Sequence, residues 1–225
     1  MKPTTHGAGG SRKLLSEGHL APCTSAWNNL HLHGVSRVSD QAHMPTMHTG
    51  YDQAAATAAI GYIASKIVPL DLHKSFKLLY LAEKACLGRY GRQFIRDDYI
   101  AMDYGPVPST TYDLAKAARG EPRSYGISAE MVDEFKRWIA VDGSLISARR
   151  DPDLDELSRG ALECLDEVID KYASWTFNQL TQEAHDAAWQ ESRSRRLRGR
   201  IRPVDIARAL PDSDTLIAHL TNDSD

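Results

Sequence analysis

What the sequence lacks narrows it first. No run approaches the ~18 apolar residues of a membrane span, so no membrane contact is expected. The N-terminus has no charged region followed by an apolar core, the pattern of a secretory leader. Cysteine is scarce: Cys23, Cys86 and Cys164 are odd in number and scattered, which implies no disulfide framework. Cys86 and Cys164 fall within apolar helical patterns, where a buried free thiol is expected, and a reducing cytoplasmic setting follows. No phosphate-cradling loop is present, because the glycines between Gly7 and Gly10 precede no strand–helix unit. No serine stands in a Gly-flanked elbow. These absences argue against an enzyme and imply no cofactor.

What remains is a chain of 225 residues, enough for one domain with a sizeable core plus extensions. Hydrophobic residues at 42% and charged residues at 25% suit a globular protein. The net charge of −3 hides a division. Residues 51–192 hold 16 Lys and Arg against 23 Asp and Glu, a balance of −7. Residues 193–202, RSRRLRGRIR, hold six arginines and no acid.

Residues 1–50 mix Gly, Ser, Thr, His and Pro without periodicity, and the expectation is a disordered or weakly ordered extension. Met44 and Met47 are candidate internal starts. His31, His33, His43 and His48 have no fixed spacing and no cysteine pair or acid near them, so no metal site is expected. From Asp52 the pattern turns helical, with Ala55, Ala58, Ala59, Tyr62 and Ile63 on a small-residue face that ends before Pro69. Asp71 stands at an N-cap position. The helix it opens carries Leu72, Phe76, Leu78, Leu79, Leu81, Ala82 and Cys86, apolar over most of its circumference, and belongs at the centre of a domain. Gly88 is its expected stop.

Between Phe94 and Tyr104 the period shifts towards two, as in a short strand. Gly105-Pro106-Val107-Pro108 then forms a stiff corner. Ser109 is expected to cap a helix to about Ala118, and Ser128 one bearing Val132, Phe135, Trp138 and Ile139. An acidic linker follows at Asp151–Glu156, then a helix capped by Ser158 with Leu162, Leu165, Val168, Ile169 and Tyr172. Thr176 and Gln179 form a capping box for a helix with Leu180, Ala184, Ala188 and Trp189. Pro203–Leu210 suits one short helix, and a polar tail is expected from Pro211. The fold class is mainly α: a single helical domain over 51–192 with a small β element and the rigid Gly-Pro-Val-Pro corner, followed by an Arg-rich segment and tail over 193–225.

Several runs match a known family. Lys77–Glu83, Tyr90-Gly91-Arg92, Tyr99–Pro108, Leu165–Tyr172, and Leu180 through His185 to Ala188-Trp189 resemble the Panacea domain, the SocA-like family of phage-associated and antitoxin proteins. The resemblance spans about 60–192. It implies a mostly helical fold and an antitoxin of a bacterial toxin–antitoxin module, whose partner is a cognate protein toxin from the adjacent gene. It further implies an adaptor that presents the toxin to the ClpXP protease.

Two surfaces are candidates for contact. A stiff loop at Tyr104, Gly105, Pro106, Val107 and Pro108, with Tyr and Val exposed, is a low-entropy docking surface. His185 and Trp189, four apart on one helical face, offer an aromatic anchor. The alternative partner is nucleic acid, met by Arg193, Arg195, Arg196, Arg198, Arg200 and Arg202 through phosphate neutralisation. No helix-turn-helix or zinc spacing accompanies those arginines, so sequence-specific reading is not indicated, and the acidic face of the domain itself or of a toxin is an equal partner for them. His73 and His185 as bases, and Asp97-Asp98 with Asp103 as paired carboxylates, complete the candidates for chemistry. Helical histidines usually pack and turn aspartates usually cap, so catalysis is the lesser reading.

Overall fold

A computed structural model describes residues 50–195, 199–211 and 213–222. The N-terminal extension with its histidines and Cys23, and Arg196 and Arg198 of the arginine cluster, lie outside the described residues. The fold is mainly helical with a small β component, as its patterning implies.

Helix α1 (Gln53–Lys66) begins where Asp52 accepts the Ala55 amide at 3.0 Å, and it buries Ala55, Ala56, Ala58, Ala59, Ile60 and Ile63. The short strand β1 (Leu70–Asp71) leads into α2 (Leu72–Tyr90), whose first turn is capped by Asp71 through the Lys74 amide at 2.8 Å. Leu72, Phe76, Leu78, Leu79, Tyr80, Leu81, Ala82, Cys86 and Leu87 of α2 are all buried. Each such leucine contributes roughly 1.5–3 kcal/mol by leaving water, which makes α2 the spine of the fold. It runs past Gly88 to a left-handed cap at Gly91 (φ +70°), one turn beyond the expected stop.

Strands β2 (Tyr99–Met102) and β3 (Gly105–Pro108) form an antiparallel hairpin, so the Gly-Pro-Val-Pro run is strand and the chain reverses just before it. Prolines are tolerated because β3 is an edge strand. At the Ala101–Pro106 pair the β2 amide points the other way, donating to the Gly199 carbonyl at 2.7 Å. Helix α3 (Ser109–Ala118) follows, but Ser109 does not cap it. Asp97, buried across the hairpin, accepts from the Thr110 and Thr111 amides (3.0 and 2.8 Å) and from the Thr111 hydroxyl (2.7 Å).

Helix α4 (Ala129–Trp138) passes directly into β4 (Ile139–Asp142), which turns at Gly143-Ser144 into β5 (Leu145–Ala148). This hairpin replaces the first part of the expected linker, and β5 pairs with β1 to close a three-stranded sheet. Helix α5 (Arg159–Tyr172), capped by Ser158, lies along α2, where Cys164 and Cys86 are both buried free thiols. Helices α6 (Phe177–Ala184) and α7 (Ala187–Ser194) replace the single expected helix. Strand β6 (Arg200–Ile201) adds to β2, and α8 (Pro203–Arg208) packs against α2. Where a polar tail was expected, α9 (Asp214–Asn222) is helical.

Candidate functional site

The site is built around the turn that joins β2 to β3. Tyr104 stands at its tip, 41% exposed, while Gly105, Pro106, Val107 and Pro108 are buried. The expected exposure of Val107 is therefore not found: hairpin pairing and packing on α2 turn β3 inward. Gly105 has φ +118°, which side chains rarely adopt. A Cβ there would stand 3.3 Å from the Lys77 Cε and 3.7 Å from the Ala184 Cβ, so glycine lets the turn close onto α2 and α6.

The other half comes from the break between α6 and α7. Thr176 and Gln179 form the capping box of α6, and the helix ends where the His185 amide donates to the Thr181 carbonyl at 3.0 Å. Asp186 then opens α7 by accepting the Trp189 amide at 3.0 Å. The same carboxylate accepts the Tyr80 hydroxyl at 3.0 Å and the Lys84 ammonium at 2.5 Å, which fastens the α7 N-terminus to α2. His185 and Trp189 thus share no helix. Their rings nevertheless stack at 3.6 Å and 7°, and the Trp189 indole donates to the Met102 carbonyl at 2.9 Å. The structure brings Tyr104, Gly105, His185 and Trp189 to one place.

Three further residues belong to the cluster. Phe177, the first residue of α6, is 39% exposed and packs edge-on to His73 (5.2 Å) and against Tyr104 (5.9 Å). His73 also meets Tyr104 edge-on at 5.9 Å. Lys77 is only 3% exposed, with its ammonium 5.0 Å from the centre of the Phe177 ring. Burial pushes the Lys77 ammonium down to about 8 against the opposing pull of Asp71. Burial, helped by the Lys77 charge, pushes His73 down to about 3. His185 is lowered for the same reasons, with Arg193 adding to the effect. The signal for Lys77 was local: a charge set between Phe76 and Leu78 in the apolar stretch of α2. Phe177 was legible only as the residue after an N-cap.

The described arginines of the cluster face the domain's own acids. Arg193 pairs with Asp103 (2.6 Å) and Arg200 with Asp98 (2.5 Å). Arg195 and Arg202 converge on Asp205, whose side chain is fully buried, at 2.6 and 2.9 Å. Asp205, ringed by guanidinium groups that also include Arg208, is held well below the usual carboxylate range against the opposing cost of its burial. Asp97 caps α3, and Asp98 and Asp103 are ion-paired, so the three acids serve the scaffold.

The model of the antitoxin SocA-like family, Panacea domain, matches residues 76–190. The chain belongs to this family. No curated protein and no solved structure matches it. The Panacea domain runs from the second turn of α2 to the middle of α7, so Lys77, Tyr104, Phe177, His185 and Trp189 lie inside it. His73 and the arginine cluster lie outside the match. No helix among the described residues is long and apolar enough to cross a membrane.

Proposed function

We propose that this protein is the antitoxin of a bacterial toxin–antitoxin module, acting in the cytoplasm by binding the protein toxin of the adjacent gene. The observation that carries this reading is the match of the SocA-like Panacea domain over residues 76–190. The face around Tyr104 and Phe177 supports it as the contact surface. Two aromatic side chains, each about two-fifths exposed, stand side by side on a backbone fixed by Gly105, the Trp189–Met102 bond and the Asp186 cap. Rigid aromatics on a fixed backbone lose little entropy on docking and are enriched among residues that dominate binding energy. His185 and Trp189 hold this face from behind, and neutralisation is by masking the toxin or by delivering it for degradation, with no bond made or broken by this chain.

The test is co-purification of the full chain with the product of the adjacent gene, beside a growth-rescue assay. A stable complex with rescue supports the reading; neither complex nor rescue sinks it. Rescue that disappears in a host lacking ClpXP would assign delivery to that protease as the route. Nucleic acid is the weaker reading, because Arg193, Arg195, Arg200 and Arg202 are already paired with carboxylates of the domain.

A further inference from the structure

Among the described residues the Lys77 ammonium is an unusual group. The side chain is 3% exposed, its ammonium lies 5.0 Å from the centre of the Phe177 ring, and no salt bridge holds it among the described residues. A buried cation without a hydrogen-bonded counter-charge carries a large desolvation cost. A ring face returns only part of it. The neighbouring acid, Asp71, attracts Lys77 through space while one of its oxygens holds the Lys74 amide at 2.8 Å as the cap of α2. Lys74 itself donates to the Ala173 carbonyl at 2.6 Å.

Lys77 opens into a small hollow of about 60 Å³ lined by Asp71, Lys74, Lys77, Trp175, Phe177 and Leu180. It is large enough for a small polar group and too small for a nucleotide or a drug-sized ligand. Two lysines against one aspartate leave it positive. The first turn of α6 begins at its wall with Phe177, and helix N-termini favour negative charge. His73 packs edge-on to the Phe177 ring, and His185 and the Lys77 stem both lie beside Gly105. Burial disfavours the charged form of both histidines.

The geometry points to this hollow as a receptor for a carboxylate side chain, an aspartate or glutamate that a protein partner inserts between Phe177 and Lys74 to pair with Lys77. It rests on the reading of the Tyr104–Phe177 face as the toxin contact, and it names what the toxin must present there. The aromatic rim excludes water and the ammonium supplies the charge, so a partner acid gains a charge-assisted bond that bulk lysines do not offer.

Two arms test it on the full chain. In the first, lysine labelled at Cε is followed by NMR while acetate is added, with inorganic phosphate as the control. Acetate should shift the Lys77 signal and move its titration above about 8, and phosphate should not. In the second, Lys77→Met should weaken affinity for the product of the adjacent gene at least tenfold without lowering the melting temperature. An Asp→Asn or Glu→Gln change in the toxin should cost as much, and the two losses should not add. Lys77 unmoved by acetate, together with Lys77→Met binding the toxin as the wild type does, overturns the carboxylate site and leaves the antitoxin reading intact. A Lys77 signal that moves with phosphate and not acetate also overturns it. An acetate shift in a protein that binds no toxin overturns the antitoxin reading alone.

Discussion

Trp189 donates its indole N–H to the Met102 carbonyl at 2.9 Å, across 87 residues of sequence. Met102 ends β2, and Tyr104 follows two residues later, so α7 holds the turn that presents Tyr104. On its other side the indole stacks on His185. The position of the exposed tyrosine is therefore set by a residue that is itself largely covered.

Trp189→Phe removes that donor and leaves the Met102 carbonyl without it. The expected loss is about 1–2 kcal/mol in urea unfolding, the usual cost of orphaning one partly buried acceptor. Faster amide exchange should appear around residues 102–105. Wild-type stability with unchanged exchange there would show that the bond does not position the turn.

Much of this arrangement is legible in the chain itself. Asp71, Ser128, Ser158 and Thr176 cap the helices they precede, because a short oxygen-bearing side chain next to an apolar period has one favourable use. The centrality of α2 follows from its all-round hydrophobicity. The features that escape such a reading are decided by distant partners. Asp97 takes the capping of α3 from Ser109 across the β2–β3 hairpin. Asp186 breaks the last helix of the match because Tyr80 and Lys84 give its carboxylate a reason to be there. The β4–β5 hairpin carries a local sign in Gly143-Ser144, flanked by Ile139, Val141, Leu145 and Ile146, with Gly143 at φ +57°. Strand β6, only two residues long, has no period to read.

Glu83 makes stability depend on pH. It is fully buried on α2 and accepts the Phe94 and Ile95 amides at 2.6 and 2.8 Å. Burial pushes its carboxyl from 4.5 up to about 8, against the pull of those amides. The folded protein thus keeps a proton there that the unfolded chain releases above 4.5, and stability falls as pH rises from about 4.5 to about 8. Glu83→Gln keeps the acceptor and removes the charge. It should stabilise by roughly 2–4 kcal/mol at pH 8 and by nothing near pH 4, in denaturation at the two pH values. Equal effects at both would refute the buried neutral acid.

Asp205 has the opposite sign. Its carboxylate binds Arg195 through both oxygens (2.6 and 2.9 Å) and also meets Arg202 and Arg208. Its contribution is complete above the ordinary value of 3.8 and is lost as pH falls below it. Asp205→Asn should cost about 2–3 kcal/mol, less than a fully buried pair because the arginines keep solvent contact. Hydrogen exchange should rise over residues 199–208 while α2 and α5 stay protected. Uniform loss of protection would mean that this cluster supports the whole core and not the C-terminal segment.

Tyr104 and Phe177 separate binding from stability. Each is about two-fifths exposed, and their packing with His73 covers only part of each ring. Tyr104→Ser and Phe177→Ser should therefore each cost no more than about 1 kcal/mol of folding stability, the scale of a partly exposed aromatic pair. Truncating a central aromatic side chain on a binding face typically costs about 2 kcal/mol or more, which is some thirtyfold in affinity. Calorimetry of each full-length variant with the product of the adjacent gene should show that drop while melting temperatures stay within a few degrees. The effect has a shape as well as a size: the two rings pack on each other, so either single change already disturbs the face they share. The double variant should accordingly fall below the sum of the single effects. Wild-type affinity in both single variants would move the toxin-binding surface away from this face, to one that none of the aromatic residues around Lys77 defines.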